Sequence, residues 1–256
     1  MIFPLADDNT DRASFPIINV TLILVNVLVF VFLQGMGNNL KFTYSFSTVP
    51  AEISGGEDVV TDDQTVEVDS NDGPQIVTLP GLQETPISVY FTMLTSMFMH
   101  GGVMHLLGNM WFLWIFGDNI ENDLGRVRYL VFYLLSGIVA SLAHVLPNMT
   151  GPSSMIPSLG ASGAISGVMG AYLVLHSNRR VTILVMRMVT KVPGFVAVGL
   201  WFLFQIISSV GGLHGAGGGV AYGAHIGGFL AGVVLAKPFM FGRGNSRPGT
   251  TARSTS

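Results

Sequence analysis

Five side chains of this 256-residue sequence could do chemistry together: His100, His105 and Asn109 within MHGGVMHLLGN, Ser162 within GASGAISG, and His225 within AHIGGFLAG. A serine hydroxyl becomes a nucleophile only beside a base, and His225 is the best candidate for that base. His105 and Asn109 are four residues apart, which sets them one above the other on a single helical face. With the Ser162 backbone amide they offer donors to an oxyanion. Gly160 and Gly163 flank the serine and let another backbone or a substrate come close. His100 is read either as giving water access to this group or as anchoring a loop. Each element also has a plainer reading, because serine beside glycine in an apolar helix serves packing and a helical histidine can simply face a polar partner. His144, His176 and His214 are read in that structural or interfacial way. A metal held by His100, His105 and His225 is disfavoured, since H-E-x-x-H is absent and no carboxylate is close in sequence. The chain has no cysteine, which excludes disulfides, thiolate nucleophiles and cysteine-ligated metals.

The elements that must position these groups are hydrophobic. Of all residues 49% are hydrophobic and 11% charged, against roughly 25% charged in a soluble domain. That excludes an ordinary soluble protein. Six apolar runs, about 16–35, 91–117, 129–147, 158–178, 193–212 and 220–241, with Lys237 near the end of the last as their one charge, approach the ~20 residues that a membrane span needs. The expectation is an all-α membrane protein of six spans. The first run is read as a retained helix, since Asp7, Asp8 and Asp11 precede it with a single Arg12, unlike a signal or transit peptide.

Charge orients the spans. All 15 acids lie at or before Asp123, whereas 10 of the 12 basic residues follow it. The segment with Arg179, Arg180, Arg187 and Lys191, the tail with Lys237, Arg243, Arg247 and Arg253, and a 118–128 loop with Arg126 and Arg128 are expected inside the cell. Uncharged loops 148–157 and 213–219 then fall outside. Both termini are cytoplasmic on this reading: 1–15 is a cytoplasmic N-terminus, 16–241 the membrane domain, and 242–256 a polar, disordered tail. Spans two, four and six run inward, so His105/Asn109, Ser162 and His225 share one depth below the outer surface. Small residues at Ala224, Gly228 and Gly232, and at Gly163 and Gly167, suit close contact between spans four and six.

The connection at about 38–90 lies outside and holds nine acids against Lys41. It is too long for an idle loop. Within it TVEVDSNDGPQIVTL alternates apolar and polar residues about Asn71-Asp72-Gly73, as a β-hairpin would; a solvated acidic insertion is the alternative. The acids decide one more point. A Ser/His/Asp triad needs a carboxylate near the histidine, and the only ones near spans two to six are Asp118, Glu121 and Asp123, at the opposite face. A dyad remains.

These residues resemble the rhomboid intramembrane serine proteases. The likeness covers almost the whole chain: six spans, with MHGGVMHLLGN on the second, GDNIENDLG after it, GASGAISG on the fourth and AHIGGFLAG on the sixth. It implies a six-helix rhomboid bundle and hydrolysis of transmembrane proteins in or near their membrane segments. The site is reached by water from the non-cytoplasmic side of a lipid bilayer. By the family's pattern Ser162 is nucleophile, His225 general base and acid, and His105 and Asn109 stabilise the oxyanion; no cofactor, metal or nucleic acid is involved. A prokaryotic cell membrane is the expected location. Two departures stand out: Ser166 occupies the position where some members stack an aromatic ring on the histidine, and the Trp-Arg pair of some members' first outer loop is absent. The competing readings are a catalytically silent rhomboid-like protein that binds membrane clients, and a small channel or transporter.

Overall fold

The computed structural model describes residues 2–10, 12–70, 73–212 and 221–242. The expected outer loop 213–219, with His214, lies outside these residues, as do Asn71 and Asp72 of the expected hairpin turn and the tail from 243 onward. Most of the described chain is helical. Along it run β1 (Ile2–Asp7), α1 (Ile17–Leu28, prolonged by a π-turn to Leu33), α2 (Leu40–Phe46), α3 (Pro50–Gly55), β2 (Gln64–Ser70), β3 (Gly73–Leu79), α4 (Thr92–Thr95), α5 (Val103–Leu124), α6 (Arg126–Val145), α7 (Ser162–Leu175), β4 (Arg180–Val185), β5 (Met188–Pro193), α8 (Gly194–Gly212) and α9 (Tyr222–Met240). Arg126–Asn148 and Tyr222–Met240 are long and apolar enough to cross a membrane, while Ile17–Leu33, Ser162–Leu175 and Gly194–Ile207 are apolar but shorter.

The second run departs from expectation at both ends. Val89–Phe98 forms short 3₁₀ and α turns, Met99 is extended, and the long helix begins only at Val103. Gly101-Gly102 resists helix formation, and the His100 backbone is engaged elsewhere: its N–H donates to Gln34 Oε1 at 2.8 Å and its carbonyl accepts from Gln34 Nε2 at 3.0 Å. At the other end α5 runs past Gly117 to Leu124, so the expected 118–128 loop shrinks to a break at Gly125, whose φ is +76°. Gly117 is not a terminator. A Cβ there would lie 2.1 Å from Asn19 Oδ1, so the missing side chain lets α1 close on α5. The N-terminus of α1 is capped by Glu121, whose two carboxylate oxygens accept the Ile18 and Asn19 amides at 3.0 and 2.7 Å.

All-α also needs correcting. The β1, β4 and β5 strands form an antiparallel sheet in the order β1-β4-β5, and β2 pairs with β3 from Gln64↔Leu79 to Ser70↔Gly73. The second of these is the hairpin expected from the alternation about Asn71-Asp72-Gly73. The first was hidden by its charge: the 179–191 stretch reads as a basic loop, yet Val181 and Ile183 are buried. Met186 and Arg187, at φ +46° and +73°, form the tight β4–β5 turn. Nor is the N-terminal segment separate from the bundle. Asn119 donates to Asp7 and Asn9, Arg12 pairs with Asp118 at 3.1 Å, and Trp111 Nε1 donates to the Pro4 carbonyl at 2.7 Å.

The core lies where α5, α6, α7 and α9 meet, around Leu113, Phe116, Tyr129, Phe132, Tyr133, Val168 and Tyr172. Helices α7 and α9 pack backbone to backbone. A Cβ on Gly228 would stand 2.1 Å from the Gly163 carbonyl oxygen, and one on Gly232 1.9 Å from that of Gly167. Only glycine allows this approach. The carbonyls of Phe239, in the last turn of α9, and of Phe241, just beyond it, accept from Arg128 at 3.0 and 2.8 Å.

Candidate active site

Ser162 is the first residue of α7, and the segment before it is fixed by a short bridge: the Thr48 and Ser158 backbones exchange hydrogen bonds at 3.0 and 2.8 Å, and the Gly160 amide donates to the Ser96 carbonyl at 2.9 Å. Gly160 has φ +128°, and a Cβ on it would stand 3.0 Å from the His105 ring and 3.6 Å from Ser162 Oγ. Glycine therefore satisfies the turn and also lets His105 approach the serine. Gly163 faces the other way, toward Ala140 of α6, where a Cβ would be 2.6 Å away.

His225 enters from the first turn of α9. Its Nε2 is 2.7 Å from Ser162 Oγ, and its Nδ1 is 2.8 Å from Gln205 Oε1 on α8. The ring is further bordered by Trp201, 6.2 Å away between centroids, and by the edge of Tyr222 at 6.3 Å. Ser166, in place of an aromatic residue, donates to its own helix at the Ser162 carbonyl, 2.6 Å away.

His105 and Asn109 lie one turn apart on α5, and the His105 ring borders Gly160. His105 Nδ1 accepts from the Gly101 amide at 3.3 Å, so a neutral ring carries its proton on Nε2, the nitrogen that borders Gly160. Asn109 is buried, and its amide nitrogen has no hydrogen-bond partner. A buried donor of this kind is costly unless something accepts from it. His100 is also buried, with neither ring nitrogen hydrogen-bonded, and stands edge-on behind His105 at 5.1 Å between centroids. His176 pairs with Asp123 at 2.7 Å at the far end of the bundle, and the His144 carbonyl accepts from Asn148. Among the described residues no group of three or more histidines and acids could hold a metal.

The sequence reading missed Gln205. It is the one glutamine in the apolar 193–212 run, and a polar residue inside such a run is itself a signal, although an amide is not the carboxylate that a triad calls for. Two cavities adjoin the site. One, of about 540 Å³, is apolar and bordered by Phe112, Phe116, Trp201, Phe204 and Gln205; the other, of about 30 Å³, lies against Ser162 and is walled by Gly137, Ala140, Ser141, Gly160 and Ala224.

A rhomboid-domain family model matches residues 88–241, which hold every residue of this site. The chain belongs to the rhomboid family. It is 32% identical over 156 residues to the mitochondrial rhomboid protein 1 of Saccharomyces cerevisiae, covering 60% of this chain and 43% of that protein. It is 33% identical over 150 residues to the rhomboid protease GluP of Bacillus subtilis, covering 58% of this chain and 27% of that one. With the human presenilin-associated rhomboid-like protein, mitochondrial, it shares 35% identity over 128 residues, 45% of this chain and 33% of the relative. The chain thus spans less than half the length of each of these relatives. Family membership and the apolar helices agree in describing a helical membrane protein.

Proposed function

We propose that this rhomboid-family chain is an intramembrane serine endopeptidase that cuts transmembrane proteins within or near their membrane segments, with Ser162 as nucleophile and His225 as general base and acid. The observation that carries this reading is the 2.7 Å hydrogen bond between Ser162 Oγ and His225 Nε2, made between helices brought together by glycine contacts. The serine donates its proton to Nε2 as Oγ attacks the scissile carbonyl, giving a tetrahedral oxyanion. That oxyanion accepts from His105 Nε2–H, from the Asn109 amide and from the Ser162 backbone N–H. Asn109, which has no partner in the resting site, acquires one only when charge develops, and such selective stabilisation lowers the barrier. Collapse breaks the C–N bond, and His225 returns the proton to the leaving amine. Water, deprotonated by the same nitrogen, then hydrolyses the acyl-serine.

The small cavity against Ser162, bordered by Met97 and Leu159 and otherwise by glycine, alanine and serine, has room for only a small side chain before the cut. The peptide must also be extended there, because a helix hides its carbonyls in its own hydrogen bonds. The chain crosses the membrane six times, with both termini in the cytoplasm of a prokaryotic cell, the membrane domain at 16–241 and the acidic 38–90 segment outside. The runs at α1, α5, α6, α7, α8 and α9 and the one-sided distribution of charge support that arrangement. The substrates are other membrane proteins in the same bilayer.

The test uses the purified full-length chain and a fluorophosphonate probe. Wild type should label, and Ser162→Ala and His225→Ala should not. Equal labelling of Ser162→Ala would discard the nucleophile, and a folded wild type that never labels and never cleaves a membrane substrate would favour the client-binding alternative. The chain lacks cysteine, so Asp63→Cys supplies a unique thiol, which an impermeant reagent should reach from outside the cell.

A further inference from the structure

We propose that Gln205 is the positioning residue of this site: its side-chain carbonyl fixes the tautomer and the orientation of His225, in the place where a carboxylate would complete a triad. This rests on the reading of Ser162 and His225 above and extends it. A neutral imidazole has one N–H and one lone pair, and it can accept the serine proton only if the lone pair is on Nε2. The proton must then reside on Nδ1, which needs an acceptor. Gln205 Oε1 is 2.8 Å from Nδ1, and Nε2 is 2.7 Å from Ser162 Oγ. The three groups form one line: Ser162 O–H donates to Nε2, and Nδ1–H donates to the Gln205 carbonyl.

Three features make the contact more than incidental. Gln205 is only 7% exposed, so its amide is buried among apolar neighbours, where an unpaired polar group is costly. Trp201 and Gln205 are four residues apart on α8, so one helical face presents both to the same ring. No acid follows Asp123 in the chain, so no carboxylate in α7, α8 or α9 could take the role. An amide suits this depth because it orients the ring without a charge that would have to be desolvated.

The experiment compares wild type with Gln205→Leu, which removes the acceptor at similar size, and Gln205→Glu, which keeps one. In each, kcat and KM for a model transmembrane substrate, fluorophosphonate labelling rate and Tm are measured. Histidine ¹⁵N NMR, with His225 assigned by its loss in His225→Asn, reports which ring nitrogen is protonated. Gln205→Leu should lower kcat and labelling about 10²-fold, the scale of a misplaced catalytic group, with KM within about twofold. Gln205→Glu should recover at least about a tenth of wild-type kcat, and the wild-type spectrum should show Nδ1–H. Wild-type kcat in Gln205→Leu, a loss confined to KM, equal loss in both variants at unchanged Tm, or an Nε2–H tautomer in wild type would each overturn the proposal. If Gln205→Leu does not fold, Gln205→Glu and the spectrum still decide. Unchanged labelling of Ser162→Ala would instead sink the parent reading.

Discussion

Gly228→Ala adds a single methyl group at the seam that holds the site together, and its consequence can be worked from distances. The new Cβ would lie 2.1 Å from the Gly163 carbonyl oxygen and 2.9 Å from its carbon. Ordinary C···O contact begins near 3.3 Å, so α7 and α9 must separate locally by about 1 Å. The strain cannot be absorbed by a rotamer change, because the obstructing atoms are backbone. Gly163 directly follows Ser162, and Gly228 lies three residues after His225, so most of that separation falls on the Oγ–Nε2 contact. At 2.7 Å it is a good hydrogen bond; about 1 Å longer it is none. The expected result is a loss of about 10²-fold in turnover, with destabilisation of about 1–3 kcal/mol from overpacking. Gly199→Ala serves as the control, because a Cβ on Gly199 meets nothing within 4 Å. The assay is cleavage of a model transmembrane substrate in liposomes, with fluorophosphonate labelling and thermal unfolding on the same preparations. Wild-type turnover and Tm in Gly228→Ala would refute the claim that this seam sets the Ser162–His225 distance.

Three further predictions follow from the geometry. His105→Ala and Asn109→Ala should each lower kcat by about 10²–10³-fold with little change in KM, as for the loss of one oxyanion donor; a pure KM effect would reassign them to substrate binding. Glu121→Ala leaves the Ile18 and Asn19 amides without their shared acceptor and should cost about 1–2 kcal/mol, read as a lower Tm with the spectral helix content of the remaining bundle preserved. Glu52, on α3 in the outer segment, has its carboxyl lifted from 4.5 to about 7 by burial, opposed by the Val59 amide and reinforced by Asp58. Because the folded form holds this proton more tightly than the unfolded chain, the stabilisation is complete below about pH 4.5 and is lost as pH rises through about 7. Glu52→Gln should therefore flatten the fall in Tm across that window, and parallel Tm–pH curves for the two proteins would refute it.

What could be read from the sequence was whatever repeats within one helix. The His105/Asn109 spacing, the glycines around Ser162 and the four-residue steps of Ala224, Gly228 and Gly232 state which face is small and which is polar, and the α7–α9 seam is their direct outcome. The β2–β3 pairing was legible for the same reason: the alternation that announces it is local. The three-stranded sheet was not, because even its nearest β1–β4 pairing, Asp7↔Val181, joins residues 174 positions apart. Its buried Val181 and Ile183 were also outweighed by the Arg179, Arg180, Arg187 and Lys191 charges around them. Helix ends failed where a distant side chain rather than a local signal sets the boundary: Gln34 holds the His100 backbone away from α5, and Asn19 occupies the space that Gly117 leaves open.

No acid follows Asp123, which removes the carboxylate of a triad but not every group that could orient His225. Orienting a ring requires an acceptor at the right distance, and a carboxylate is only one way to supply it. Gln205 lies 20 residues from His225, on a helix whose other residues give no periodic polar signal. No spacing rule within α8 or α9 could pair the two. The pairing exists because α8 and α9 are both packed beside α7, so a contact that looks arbitrary along the chain is fixed by the same helix packing that brings His225 to Ser162.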